Sequence, residues 1–453
     1  MTHRQHPLGT GFTPASTTDD VLKDVDLTGR NVVVTGGHSG LGRQTTLALA
    51  GAGAHVTVAS RNPDRAREQF HDVDPATAAR IETRRLDLLD PGSIDAFVEQ
   101  HLAEGHALHT LINNAGLMGG PLVRDTRGYE SQFATNHLGH FQLTLGLLPA
   151  LRAAHGARVV NLTSGGHRLS DIRWDDPHFH EGYDPAGMLG YGQSKTANVL
   201  FAVELDRRWA PDRIRGFAVH PGIILGTNLG PWHPEGEAGQ QLSDEQHHTM
   251  GLLDDAGRPI IDPYHERKTL QQGASTTVFA ATSPLLDGIG GVYLKDNDIS
   301  VLDEDPQPID FATEQDPQAT VVPYAIDPVS ARRLWALSEE LLGRVPSDGG
   351  TRRRQRAPAG TPGFRGGLHE RALAGHQGRQ GSVRDVPGPA GWCESSAARW
   401  WTRPRREYAG TSSWPAWGRR PARLTGGSRS ADRGVTSGSS RSLLPDWRSD
   451  PPR

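Results

Sequence analysis

Val32-Val33-Val34-Thr35-Gly36-Gly37-His38-Ser39-Gly40-Leu41-Gly42 is the stretch whose reading decides the fold. Three consecutive valines make a short strand that is apolar on both faces, as a strand inside a parallel sheet must be. A glycine cluster follows, and then Thr45–Ala50 with helical character. Gly36, Gly40 and Gly42 fall where a chain must turn tightly, let its backbone approach a pyrophosphate, and pack a helix closely on a sheet. The start of the helix offers unpaired N–H groups and about half a positive charge to phosphates. An ordinary glycine-rich turn would carry the same letters. A strand before it and a helix after it are the context that points to dinucleotide binding.

Working outward, apolar runs recur with helical segments between them. His55–Ala59, Ile81–Leu86, Leu108–Asn113, Arg158–Thr163, Ile214–His220 and Gly291–Lys295 read as further strands. Thr269–Ala281 reads as a helix, and so does Ala331–Leu342, where Leu334, Leu337 and Leu341 follow a helical period and Gly343 is a helix-ending glycine. Strands alternating with helices of ten or more residues predict an α/β fold: a doubly wound (Rossmann) parallel sheet in a single domain. The expected layout is a flexible N-terminal arm (1–24), one dinucleotide-binding and catalytic domain (25–343), and a tail (344–453).

The chain of 453 residues is only 35% hydrophobic and 6% aromatic, with 54 Gly and 32 Pro, lean for a chain ordered throughout. Its net charge of −4 hides a split: residues 344–453 hold 21 Arg, no Lys and 8 acids, while the rest carries −17. Six of the ten Trp also lie in this tail. Three readings compete for it: a disordered appendage, an Arg/aromatic segment that contacts nucleic acid, or GC-rich text translated in a shifted frame. All three leave it outside the fold. No apolar run is long enough to span a membrane, and residues 1–29 have no apolar stretch for a signal peptide. Cys393 is the only cysteine, which excludes an intrachain disulfide and a cysteine-based zinc site. The expected setting is cytoplasmic. His178-x-His180 and His247-His248 lack the spacing of a helical zinc site, so no metal is expected.

Tyr191 and Lys195 are four apart, and on a helix they share a face. A phenol of pKa about 10 is a poor base at neutral pH, and an ammonium beside it in a dry cleft favours phenolate. Such a tyrosine can exchange a proton with an alcohol or ketone while a nicotinamide exchanges hydride. Only four lysines occur, Lys23, Lys195, Lys268 and Lys295, so a lysine at this spacing stands out in a chain that otherwise uses Arg. Ser164, closing the fifth strand, is placed to hydrogen-bond the substrate oxygen. At the end of the second strand, Ser60-Arg61 replaces the acid that would accept from a ribose 2′-OH, and a guanidinium can fork onto a 2′-phosphate. NADP(H) is therefore preferred over NAD(H), with Arg43 assisting.

The spacing T-G-x-x-x-G-x-G, Asn113-Asn114-Ala115-Gly116, Asn136, Ser164, Tyr191-x-x-x-Lys195 and Pro221-Gly222 occur here in that order. In this the chain resembles the short-chain dehydrogenase/reductase family over roughly residues 25–343. The resemblance implies catalysis by Asn136, Ser164, Tyr191 and Lys195, with Lys195 also holding the nicotinamide ribose and Asn136 supporting the proton relay. It implies cofactor contacts from the loop residues Thr35, Gly36, His38, Ser39, Gly40, Leu41 and Gly42. Further contacts are implied for Arg61, for Asp87 and Leu88 at the adenine, for Asn114, Ala115 and Gly116, and for Pro221, Gly222 and Ile224.

The separation of 27 positions from Ser164 to Tyr191, with His167 just after the serine, resembles the retinol-dehydrogenase and protochlorophyllide-reductase-like branch. That branch suggests a bulky, fairly apolar alcohol or carbonyl substrate. Four residues rather than three separate Pro221-Gly222 from Thr227, which puts that threonine's usual cofactor contact in doubt. A mobile substrate flap is expected at about 223–268. Pairing of two copies through the helices around Asn136 and Tyr191 is common in the family, although monomers occur in this branch. The alternatives are a catalytically silent NADP(H)-binding regulator or scaffold, and a nucleotide-sugar epimerase. Ser39 and the Asn-Asn-Ala-Gly segment speak against the epimerase.

Overall fold

The strand that opens the reading is β1 (Asn31–Thr35), and its alternation sets the layers. Val32 and Val34 pack with Leu49, Val278 and Phe279 on one face of the sheet, while Val33 packs with Phe97, Phe141 and Phe201 on the other. Each of these valines is at most 3% exposed, and burying one fully is worth about 1.5–3 kcal/mol. The computed structural model describes residues 5–225, 227, 229–231, 252–307 and 318–344.

The other strands are β2 (His55–Ser60), β3 (Ile81–Arg85), β4 (Thr110–Asn113), β5 (Ala157–Leu162), β6 (Ile214–Val219), β7 (Val292–Lys295) and β8 (Asp298–Ile299). Their order across the sheet is β3-β2-β1-β4-β5-β6-β7-β8, parallel throughout except for β8, which is antiparallel to β7. The order reverses direction between β1 and β4, and the crevice at the carboxyl ends of these strands is where such sheets bind ligands.

Helices α1 (Gly40–Gly51) and α5 (Leu270–Thr282) cover one face. On the other lie α2 (Pro91–Ala103), α3 (residues 131–146), α4 (Met188–Trp209) and α6 (Pro328–Leu341). α5 starts with a capping box in which Thr269 and Gln272 satisfy each other's backbone N–H groups. α6 ends as the sequence predicts. Gly343 takes φ +67°, its N–H reaches Glu340 O at 2.9 Å and that of Arg344 reaches Glu339 O at 2.8 Å, the paired bonds of a Schellman motif.

From Gln5 onward the N-terminal arm is docked on the domain. Gln5 is 3% exposed, and its side chain donates to the carbonyls of Tyr293 and Ser300 (both 2.7 Å) and accepts from Tyr293 N (3.0 Å). A glutamine amide here serves as a strand partner for the sheet edge. Phe12 then packs edge-on against Phe279 at 5.9 Å. Of the flap, residues 226, 228 and 232–251 lie outside the described residues, as does the tail from 345 onward. Among the described residues, no helix is long and apolar enough to cross a membrane.

Candidate active site

The carboxyl ends of β1, β2, β4, β5 and β6 open into a cleft of about 540 Å³. Thr35 ends β1 and ties two loops together: its Oγ1 accepts from the N–H groups of Asn114 and Ala115, both at 2.9 Å. Asn114 Nδ2 returns a bond to Thr35 O at 2.8 Å. The loop then turns with Gly36 at φ +64° and Gly40 at φ +51°, conformations that exclude most side chains. A Cβ on Gly42 would lie 2.3 Å from Gly36 O and 2.6 Å from Asn114 Nδ2, so only glycine lets α1 approach. Ser39, the residue before α1, makes no side-chain cap, and the first turn holds no acid. The leading N–H groups are thus open to an anion, and the loop fits the pyrophosphate of a dinucleotide.

Every cofactor residue expected from the loop lines the cleft, as do Arg61, Asp87, Leu88, Asn114, Ala115, Gly116, Pro221, Gly222 and Ile224. Arg43 does not. Its guanidinium bonds Asp72 (2.8 Å) and Gln69 O (2.9 Å) and lies over Phe70, because a carboxylate and a ring beside the helix outcompete the open cleft. Arg65 lines the cleft instead, one turn into the helix Pro63–Glu68. Burial lowers the His38 imidazole, and the charges of Arg65 and Arg61 lower it further, so both guanidiniums bear on this corner. Arg65 was missed because nothing at its sequence position marks which way the short helix faces. Leu117, Leu229, Gly230 and Pro231 also line the cleft, joined by the bond from Met118 N to Gly230 O at 2.9 Å. Thr227 packs on the loop, 3.5 Å from where a Cβ on Gly40 would sit.

Ser164, Tyr191 and Lys195 line this same cleft. Ser164 caps the 3-10 turn Gly165–Leu169, its Oγ accepting from Gly166 N at 3.0 Å. Gly166 lets the Tyr191 ring come close, since a Cβ there would be 2.9 Å from Tyr191 Cε1. Tyr191 and Lys195 share one face of α4, with Lys195 Nζ 5.5 Å from the phenol ring centre and donating to Leu162 O at 3.1 Å.

The expectation that Lys195 lowers the phenol is corrected here. Burial pushes Tyr191 up to about 12, and the hydrogen bond with Ser164, not the ammonium, opposes the rise. The ammonium lies 5.5 Å from the ring centre, and its own burial draws it down to about 8.

Asn136 stands behind the cleft wall. Its Oδ1 accepts from Leu117 N (2.8 Å), and its Nδ2 donates to Leu117 O and Ser194 Oγ (both 2.9 Å). It lies in a π-helical turn, Ala134–Gly139, a deformation often found at functional sites. His140 Nδ1 faces Asn136 O at 3.1 Å and so carries the proton, leaving Nε2 to accept from Thr35 Oγ1 at 2.8 Å. Burial holds this imidazole neutral, down to about 4.

α6 packs on α3 and α4, the helices that carry Asn136 and Tyr191. Trp335 of α6 packs edge-on against Phe141 (4.9 Å) and Trp209 (5.7 Å), and Ser338 bonds His137 at 2.7 Å. Among the described residues, no three His, Cys, Asp or Glu side chains gather to hold a metal. His178 stacks on Tyr129 and His180 pairs with Asp176, while His247 and His248 lie outside the described residues.

A family model described as short chain dehydrogenase matches residues 30–174. The chain is 43% identical over 322 residues to a "Probable oxidoreductase" of Streptomyces lividans, covering 70% of this chain and 99% of that one. It is 35% identical over 321 residues to retinol dehydrogenase 12 of Mus musculus, covering 71% and 88%. The solved structure of an uncharacterized protein from Mycobacterium paratuberculosis superposes with a TM-score of 0.52 at 30% identity, covering 73% of this chain and 99% of that one.

Proposed function

From the premise that the chain belongs to the short-chain dehydrogenase/reductase family, in its retinol-dehydrogenase-like branch, we propose an NADP(H)-dependent enzyme that interconverts a fairly apolar alcohol and its carbonyl compound, with Tyr191 exchanging the proton. The observation that carries this is the convergence of Ser164, Tyr191 and Lys195 on the cleft that the glycine loop opens.

When bound, the nicotinamide supplies or takes up hydride. The rest falls to the chain. Because Ser164 Oγ accepts from Gly166 N–H, its own proton is left to point at a substrate oxygen or at Tyr191. Tyr191, raised to about 12, keeps its proton until the substrate oxygen gains charge, as an acid for carbonyl reduction should. Lys195, buried with its ammonium 5.5 Å from the ring centre, would hold the nicotinamide ribose. Asn136 holds Leu117 by both backbone groups and so fixes the loop after Gly116. Arg61 and Arg65, with no acid at the end of β2, support the preference for a 2′-phosphate. Leu117, Leu229 and Pro231 support an apolar substrate.

The test is carbonyl reduction with NADPH across a panel of aldehydes and ketones. Tyr191→Phe should abolish turnover while leaving the Kd for NADPH within about threefold. Unchanged turnover would remove Tyr191 from the chemistry. Tight NADPH binding by the unaltered protein with no turnover anywhere in the panel would favour a silent binder.

A further inference from the structure

Two of the chain's four lysines, Lys268 and Lys295, meet in one buried cluster behind the cleft. Its centre is His220, 3% exposed, which follows β6 and precedes Pro221-Gly222. Gly165 N–H donates to His220 Nδ1 at 3.0 Å, so the ring proton sits on Nε2 and is donated to Glu266 Oε2 at 3.0 Å. Only the neutral imidazole with that tautomer makes both bonds, because a protonated ring would set two donors against each other at Nδ1.

Glu266 is 5% exposed and holds φ +66°, costly for a side-chain-bearing residue unless its surroundings enforce it. Its carbonyl accepts from Ile223 N at 2.7 Å, and Lys268 N donates to Ile223 O at 3.0 Å, so 266–268 pair with the strand leaving Gly222. A Cβ on Gly222 would lie 2.8 Å from Lys268 Cδ and 3.0 Å from Glu266 O, so the lysine stem and this carbonyl press directly on the cleft wall. Burial alone would raise the Glu266 carboxyl, yet the hydrogen bond from His220 and the Lys295 ammonium hold it below the usual carboxylate range. Lys295 reaches Glu266 at 2.6 Å and Asp296 at 2.5 Å, and Lys268 also pairs with Asp296. Two carboxylates and two ammoniums balance, and the compact ammonium suits this crowded space better than the broad guanidinium used almost everywhere else in the chain.

We propose that this cluster is a latch in which His220 is a positioning residue, fixing the Ser164 turn through Gly165 and the Pro221–Gly222 wall through Glu266. The inference rests on the oxidoreductase reading above. It makes the two arms separable. Asparagine sets an amide oxygen about where Nδ1 stands, and glutamine sets an amide nitrogen about where Nε2 stands. His220→Gln keeps the tie to Glu266 but loses the acceptor for Gly165. It should lower kcat by about tenfold or more with the Kd for NADPH within about threefold. His220→Asn keeps the Gly165 bond but frees Glu266. It should raise that Kd about tenfold with a much smaller fall in kcat at saturating cofactor.

The experiment measures kcat on the carbonyl panel and Kd by NADPH fluorescence on the full chain, with thermal midpoints recorded. The latch is overturned if His220→Gln and His220→Asn change kcat and Kd by the same factors, or shift only the thermal midpoint. Should the unaltered protein reduce no carbonyl, the oxidoreductase reading falls. The Kd arm then decides the latch alone, and an unchanged Kd in His220→Asn overturns it.

Discussion

Replacing Lys195 with methionine should make the folded chain more stable while ending turnover. Lys195 is 4% exposed, its ammonium donates to Leu162 O at 3.1 Å, and burial draws its pKa from 10.5 to about 8. That gap of about 2.5 units corresponds to roughly 3.4 kcal/mol of charge-burial cost at pH 7. The sign follows from proton counting. Below pH 8 both the folded and unfolded chains carry the proton and the whole cost is present. Between about 8 and 10.5 the unfolded chain binds more protons, so stability rises with pH, and above that the cost is gone. Methionine fills a similar volume without a charge but forfeits one hydrogen bond, worth about 1 kcal/mol. Leu162 O keeps its bond from Asn198 Nδ2 at 2.9 Å, so no carbonyl is left unpaired. The net expectation is a gain of about 2 kcal/mol at pH 7, read by urea unfolding, that disappears by about pH 10.5. Lys195→Met being less stable at pH 7, or a difference that does not change with pH, would refute the reasoning.

Arg61→Ala should weaken NADPH by roughly ten- to a hundredfold, the worth of charged hydrogen bonds of about 1.5–3 kcal/mol, and leave NADH nearly unaffected. Equal effects in fluorescence titrations of the two cofactors would exclude a 2′-phosphate contact. Trp335→Ala should cost about 3–5 kcal/mol of stability, because the indole is 3% exposed and enclosed by Phe141, Phe201 and Trp209. A loss under about 1 kcal/mol in chemical denaturation would mean that α6 is dispensable to the core.

Most of the parallel strands were legible as short apolar runs such as Val32–Val34 and Leu111–Ile112, and the loop motifs were legible because their glycines answer local steric demands. Val32–Val34 and Gly36–Gly42 needed only their neighbours in sequence to be read. What stayed hidden depends on distant partners. Asp298–Ile299 is too short to show a period, and Gln5 looks like any polar residue until Tyr293 lies beside it. Arg43 looks open to the cofactor until Asp72 and Phe70 lie beside it, and Arg65 shows its facing only once its short helix is folded. The direction of the Tyr191 shift also required depth. Spacing puts an ammonium on the right face of a helix, but how far it lies from the hydroxyl, and how much solvent the pair has lost, is tertiary information.

The docking of α6 on the helices that carry Asn136 and Tyr191 has a consequence for how such a protein behaves when it is scarce. Trp335 and the Schellman turn at Gly343 close this face from within one chain. The ring packing that steadies the helix carrying Tyr191 is therefore intramolecular, and dilution does not remove it.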